Sequence, residues 1–330
     1  MTRRSPFRVP ATLTSAAAAL VILSGCMTVH GEREIVPAVS KAEAAKALQH
    51  FTDGFNKANR TLDPKVNASY EAGALLSIDE AGIKAAHATR PQGNPNFPGL
   101  TLKDAHFTVP KQAGWPKSFL ADAVSNRKDR GGNYTRWFLV FSRDAVDAPW
   151  RAVYLSTLPD NKVPELARDA DGYAEAVPAG DGPSGLTVDP DKLSRSYTDY
   201  LKTGEGELFA SGPDTDLRRR DRAAKSHTVG ARIQWVDQPA DFPPVALRTK
   251  DGGALVFFAS YYHQQKTVFK GSTMNVSAAV QGVMAKPVKQ ASKITLTYLT
   301  GQAVKVPAKD ASGKIEVLNL IEARTSARVP

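Results

Sequence analysis

The sequence predicts an α+β chain: two helix-then-curved-antiparallel-sheet units behind a cleaved signal peptide. Three observations carry this. An apolar stripe at helical spacing opens residues 40–62, a series of short strand candidates follows it, and the same order returns after a Gly/Pro-rich stretch at 177–188. The expected divisions are residues 1–25 as signal peptide, 26–39 as tether, 40–176 as first unit, 177–188 as linker and 189–330 as second, basic unit.

The N-terminus is an export signal. Arg3, Arg4 and Arg8 precede an apolar run that ends in Leu23-Ser24-Gly25-Cys26, and no acidic residue occurs before Glu32. The apolar run is shorter than the roughly 20 residues a spanning helix needs. Cys26 is the only cysteine, so it has no disulfide partner within the chain.

Ser40 and Glu43 have capping-box spacing, and Ala44, Leu48, Phe51, Phe55, Ala58 and Leu62 fall on one helix face behind them. A second helix is expected within 64–88, interrupted by Gly73 and Gly82. The run 90–99 ends the helical part. Strands are expected at 102–109, 118–124, 134–142 and 150–158, with Gly114, Pro116, Gly131, Gly132 and Pro149 marking turns.

In the second unit Asp189-Pro190 starts a helix bearing Leu193, Tyr197, Tyr200 and Leu201, and Gly204 ends it. The stretch 214–225 is charged on all sides and reads as a solvated helix or loop. Strands are expected at 231–236, 245–250, 254–263, 267–276, 293–300 and 314–322. Ile294, Leu296 and Tyr298 alternate with threonines, the pattern of a sheet with one wetted face. Each half also holds a strand, a diglycine turn (Gly131-Gly132, Gly252-Gly253) and an apolar-aromatic strand, which suggests two copies of one unit.

The formal charge of +10 falls to +7 once the three signal arginines are removed. The segment Tyr262–Lys309 has seven lysines and no acid, so it alone accounts for that +7. Lys266 and Lys270 are four apart and would share one side of a strand; Lys289 and Lys293 are also four apart, where Pro287 leaves the local structure open, and together they are a candidate contact for anionic lipid or wall polymer. The alternative is a solvated face that keeps strand edges from aggregating.

The Leu23–Cys26 motif resembles the lipobox of bacterial lipoprotein precursors, which implies a lipid on Cys26 and a place on the outer face of the cell membrane. The helix-then-meander order resembles the cone-shaped nuclear-transport-factor-two-like (cystatin-like) fold. With Gly73-Ala74-Leu75-Leu76-Ser77-Ile78-Asp79-Glu80-Ala81-Gly82, Gly114-Trp115-Pro116-Lys117 and Pro149-Trp150-Arg151, the chain also resembles uncharacterised actinobacterial envelope lipoproteins, a family without a settled activity. A cone would have a mouth, and His106, Asp122, Trp137, Trp150 and Tyr154 are its candidate lining; in an isomerase of this fold a carboxylate serves as base there. The alternative is that the aromatics are core.

Catalytic patterns fail on context. Gly180–Gly185 matches GxGxxG but follows no strand and contains Pro183. Ser125-Asn126-Arg127-Lys128 falls in a hairpin rather than at a helix start, and Lys202-Thr203-Gly204 ends a helix rather than lying on a strand. The six histidines lack zinc spacing and the aspartates near the linker lack calcium-loop spacing, so neither metal nor cofactor is expected. Two functional readings stand: a non-catalytic binding or assembly module of the envelope, and a small-molecule isomerase or dehydratase using one cone. The expected partners are the membrane through the anchor, anionic lipid or wall polymer, or another envelope protein, with no role for nucleic acid.

Overall fold

The computed structural model describes residues 34–129, 131–159, 162–178, 180 and 183–330. Leu23, Ser24, Gly25 and Cys26 lie outside the described residues. No described helix is long and apolar enough to cross a membrane.

After a two-residue strand β1 (Val36–Pro37), helix α1 (Lys41–Thr61) starts where the capping spacing places it. The Ser40 hydroxyl accepts from the Glu43 amide at 3.2 Å. The predicted stripe is the buried face: Ala44, Ala47, Leu48, Phe51 and Ala58. A 3-10 turn, Pro64–Ser69, precedes α2 (Gly73–Thr89), so the expected second helix begins nine residues later than its pattern allowed. Gly73, at φ +58°, starts α2 rather than interrupting it.

Strands β2 (Leu102–Thr108), β4 (Lys117–Lys128), β5 (Tyr134–Arg143) and β6 (Arg151–Leu158) form an antiparallel sheet in that order, while β3 (Lys111–Gln112) pairs with β1. At its centre this first sheet is filled on both faces, while the edge strand β2 is mostly exposed. Phe119, Ala121, Ala123, Trp137, Leu139 and Phe141 pack under α1, with the Phe119 and Phe141 rings stacked at 4.9 Å. Leu120, Phe138, Val140, Tyr154 and Leu158 point the other way.

Beyond β6 come α3 (Leu193–Thr203), α4 (Asp216–Lys225) and a second antiparallel sheet. It consists of β7 (His227–Thr228), β8 (Ala231–Pro239), β10 (Ala254–Val268), β13 (Lys293–Val306) and β14 (Glu316–Arg328), ordered β14-β13-β10-β8-β7, with β9 (Val245–Arg248) pairing the other end of β10. Strands expected at 254–263 and 267–276 are in fact one, 254–268, followed by the short β11 (Met274–Asn275). The polar run His263-Gln264-Gln265-Lys266 reads as a break, yet it pairs on both sides, with β8 and β13. A one-turn helix α5 (Ala278–Gln281) and β12 (Gln290–Ala291) complete the chain order.

The two sheets face each other. Leu120, Phe138, Val140, Tyr154 and Leu158 of the first meet Leu255, Phe257, Ala259, Leu299 and Ala303 of the second in one apolar core, to which α2 adds Ala74 and Ile78. Ser156 Oγ donates to Asn319 Oδ1 at 3.1 Å and the Thr157 amide donates to the same oxygen at 3.2 Å. The far face of the second sheet packs Ala254, Val256, Phe258, Val304 and Val306 against Leu193, Tyr197 and Leu201 of α3. The layers therefore run helix, sheet, sheet, helix.

The stretch expected as a linker is partly stitched down. The Val177 amide donates to Ala246 O at 3.0 Å and the Thr187 amide to Pro307 O at 3.0 Å, and both Val177 and Leu186 are buried with the second sheet. Upstream, the amides of Ala167 and Lys250 already bond Arg248 O and Glu165 O, both at 2.9 Å. The chain reaches the second sheet before the Gly/Pro run, because Leu166, Ala174 and Val177 supply apolar contacts that a composition-based boundary ignores.

Candidate functional site

The five residues expected to line a cone mouth do not converge. Trp137 and Trp150 are buried on the α1 face of the first sheet. Tyr154 is buried on the opposite face beside Phe257, its hydroxyl donating to Pro243 O at 2.8 Å. His106 and Asp122 are cross-strand neighbours on that second face, where Asp122 Oδ1 accepts from Arg136 Nε at 2.7 Å and Arg136 Nη2 stands 3.4 Å from His106 Nδ1. Alternation along β5 and β6 sends neighbouring aromatics to opposite sides, and packing claims both sides.

The four lysines also separate. Lys266 sits opposite Ile294 and Lys293 opposite Thr267, so these two point to opposite faces. β10 stops at Val268, which leaves Lys270 in a turn, and Lys289 precedes β12; strand alternation governs neither pair.

What the register does assemble is the wetted face read from the threonines. On the face that buries Leu255, Phe257 and Leu299 further along, the open end presents three cross-strand rows: Val236, His263, Thr297 and Ser326; Gln234, Gln265, Thr295 and Arg328; Arg232, Thr267 and Lys293. Gln234, Val236, His263, Gln265, Thr295 and Arg328 surround a shallow concavity of about 300 Å³. Val236 is the one apolar member, 61% exposed. The Gln238 amide oxygen, an acceptor only, lies 3.2 Å from His263 Nε2, so that nitrogen carries the proton and Nδ1 accepts from the Thr297 hydroxyl at 3.0 Å. Burial, with the charge of Arg328 behind it, holds the imidazole below its usual pKa and therefore neutral at pH 7. Gln265 Nε2 donates to Thr295 Oγ1 at 3.2 Å. Among the described residues no acid lies on this face, and Arg232, Lys293 and Arg328 form no ion pair. A larger trough of about 500 Å³ is lined by Glu165, Leu166, Ala167, Arg168 and Lys250, but there Lys250 is neutralised by Glu165 at 2.8 Å.

Two buried polar clusters escaped sequence reasoning. Glu71, fully buried, accepts from Asn67 Nδ2 at 2.9 Å through Oε2, and the same amide donates to the Tyr70 hydroxyl at 2.9 Å. Its second oxygen has no donor, and the carboxyl beside it is Asp79. Burial, then the charge of Asp79, pushes Glu71 well above the carboxylate range; burial raises Asp79 to about 6. One proton shared between them supplies the missing donor. Asp79 belongs to the Gly73–Gly82 motif, but eight residues separate it from Glu71 and no spacing rule links them. The other two motifs meet at the second cluster. The Arg143 guanidinium lies over Trp115 and Trp150, 5.2 and 4.6 Å from their centroids, and Glu43 Oε1 accepts from Arg143 Nη1 at 2.9 Å and Trp150 Nε1 at 3.0 Å. Lys117, 4% exposed, donates to Gln112 O at 3.0 Å; burial and then Arg143 lower its pKa. Among the described residues no group of three or more His, Cys, Asp or Glu side chains could hold a metal ion.

Among the described residues the chain is an antiparallel two-sheet α+β body with one polar, cationic sheet face. The chain belongs to the family described as Domain of unknown function (DUF8094), whose model matches residues 35–329. It is 41% identical over 322 residues to an uncharacterized lipoprotein of Streptomyces coelicolor, covering 96% of this chain and 94% of that one. It is 39% identical over 324 residues to an uncharacterized lipoprotein of Streptomyces avermitilis, covering 96% and 95%. A second Streptomyces coelicolor lipoprotein is 26% identical over 304 residues. Relatives of this kind imply a lipid-anchored membrane location. No solved structure matches.

Proposed function

We propose that the chain is a lipoprotein cleaved before Cys26, held on the outer face of the cell membrane by lipid on that cysteine, and acting by binding rather than catalysis. The carrying observation is the open end of the second sheet, where the exposed Gln234 and the half-buried His263, Gln265 and Thr297 lie among three cations that have no ion pair among the described residues. A protein surface of hydrogen-bonding groups with a one-sign charge is suited to contact. Helix-then-meander order in each half supports kinship with the nuclear-transport-factor-two-like fold, while the two filled faces at the centre of the first sheet argue against an open cone there.

The isomerase or dehydratase reading draws on a single observation, the Glu71–Asp79 pair with its raised carboxyl. Neither concavity described above reaches it.

Two measurements test the proposal in the native host. Metabolic lipid labelling should mark the wild type and be lost in Cys26→Ala, which should accumulate as uncleaved precursor; an unlabelled wild type refutes the anchor. A photo-crosslinker at Gln234 should yield envelope adducts that one at Asp221, on α4, does not. Equal yields at both sites refute the wetted face as the working surface.

A further inference from the structure

We propose that the wetted face takes an anionic polyol or sugar chain with a charge on each repeat, such as a polyol-phosphate polymer; this rests on the binding reading above. Charge selects an anion. Among the described residues Arg232, Lys293 and Arg328 are the charged groups on the face, and Asp237, on the same strand as Arg232, points to the other side of β8, where both its oxygens accept from Arg222 Nη1 at 2.9 and 2.8 Å. Placement selects a chain over a single anion. Lys293 stands two strands from Arg232, about 10 Å between backbones, and one strand and two residues from Arg328, about 8 Å. Cations strung out at such intervals meet successive charges along a polymer.

The groups between the cations select hydroxyls. Gln234, Gln265, Thr297 and His263 offer side-chain donors and acceptors on adjacent strands, and the half-buried ones bond one another or the buried Thr295. A hydroxylated backbone can replace those internal bonds one for one, whereas a polyanion without hydroxyls leaves them unused. Apolar content argues against a bilayer. Surfaces that enter lipid need a row of exposed apolar side chains; on the strands of this face Val236 is the one large apolar side chain largely exposed among the described residues, and the exposed Val229 lies in the turn before β8. The large exposed Phe269 follows β10 in a separate turn.

The test uses the chain from residue 26 onward with Cys26→Ser, and poly(glycerol phosphate) as probe, followed by calorimetry at low and at physiological salt. Controls are polyglutamate, dextran, and vesicles of phosphatidylglycerol and phosphatidylcholine. Binding to poly(glycerol phosphate) should exceed that to polyglutamate and weaken with salt. It should fall at least tenfold in the triple variant R232Q/K293Q/R328Q, and several-fold in Q234A/Q265A while the polyglutamate signal stays unchanged. These side chains are solvent-facing, so unfolding midpoints should match the wild type; a variant that melts early is replaced by the single R328Q, which must still weaken binding. Equal binding to both polyanions overturns the hydroxyl component. Binding to vesicles alone overturns the ligand class. Silence toward every probe, with Gln234 adducts still forming in the host, overturns this inference and leaves the binding reading in place.

Discussion

Glu71 and Asp79 are the residues whose chemistry is most out of balance with their surroundings. Both carboxyls have folded pKa values above those of an unfolded chain. The folded state therefore holds more protons than the unfolded one once pH passes about 4, and stability must fall as pH rises through the Asp79 value of about 6 and beyond. Glu71→Gln keeps an oxygen for Asn67 and places an N–H toward Asp79, as a protonated Glu71 does. Thermal melts should show Glu71→Gln more stable than wild type at pH 8, by on the order of 1–3 kcal/mol, with no gain at pH 4. A wild-type midpoint that is flat from pH 5 to 8 would show that the pair does not titrate there. Nothing in the linear sequence marks this pair, because a raised carboxyl is a property of burial. The Ser40–Glu43 spacing shows a similar limit. It located the cap, but the Glu43 carboxylate turns to Arg143 and Trp150, a hundred residues on, instead of closing the box.

Among the elements, α1 and the 3-10 turn after it are fitted around one glycine. A Cβ on Gly54 would come within 2.2–2.8 Å of three Tyr70 ring atoms. Glycine within a helix ordinarily costs about 1 kcal/mol relative to alanine, so helix propensity alone predicts that Gly54→Ala stabilises. The contact reverses the sign: Gly54→Ala should destabilise by about 1–3 kcal/mol in chemical denaturation. A stabilised variant would mean that Tyr70 is free to swing away. Helix α4 shows what charge patterning conceals. It buries none of its residues, as its composition implies. It is nonetheless held to the sheet through Arg218 to Glu322 at 2.7 Å, Arg222 to Asp237, and both guanidiniums over the Tyr262 ring. Arginine carries stacking and bidentate pairing that an apolar-stripe reading does not register.

For the whole molecule, the apolar core shared by the two sheets is what joins one sheet to the other. Leu120, Phe138 and Tyr154 on one side and Leu255, Phe257 and Leu299 on the other have no alternative cover. The two-unit proposal can therefore be tested by cutting. With a specific protease site inserted after Gly180, between the buried Val177 and Leu186, cleavage should give fragments that co-elute in native gel filtration and separate only in denaturant. Separation in native buffer would show each half to be a self-sufficient domain.

The sequence by itself determined the capped helix α1, the starts of the four strands of the first sheet to within a residue, and the wetted side of β13. Those features are local: period, caps and turn residues act within one element. Tertiary structure alone decided that the sheets stack, that the candidate pocket aromatics divide between two faces, and that Lys266 and Lys293 point apart. It also decided that Arg232, His263, Lys293 and Arg328, from four strands spread over nearly a hundred residues, share one surface. The reason is register. Shifting a strand by one residue exchanges its two faces, and register is set by partners distant in sequence, so a face made of four strands has no signature in any one of them.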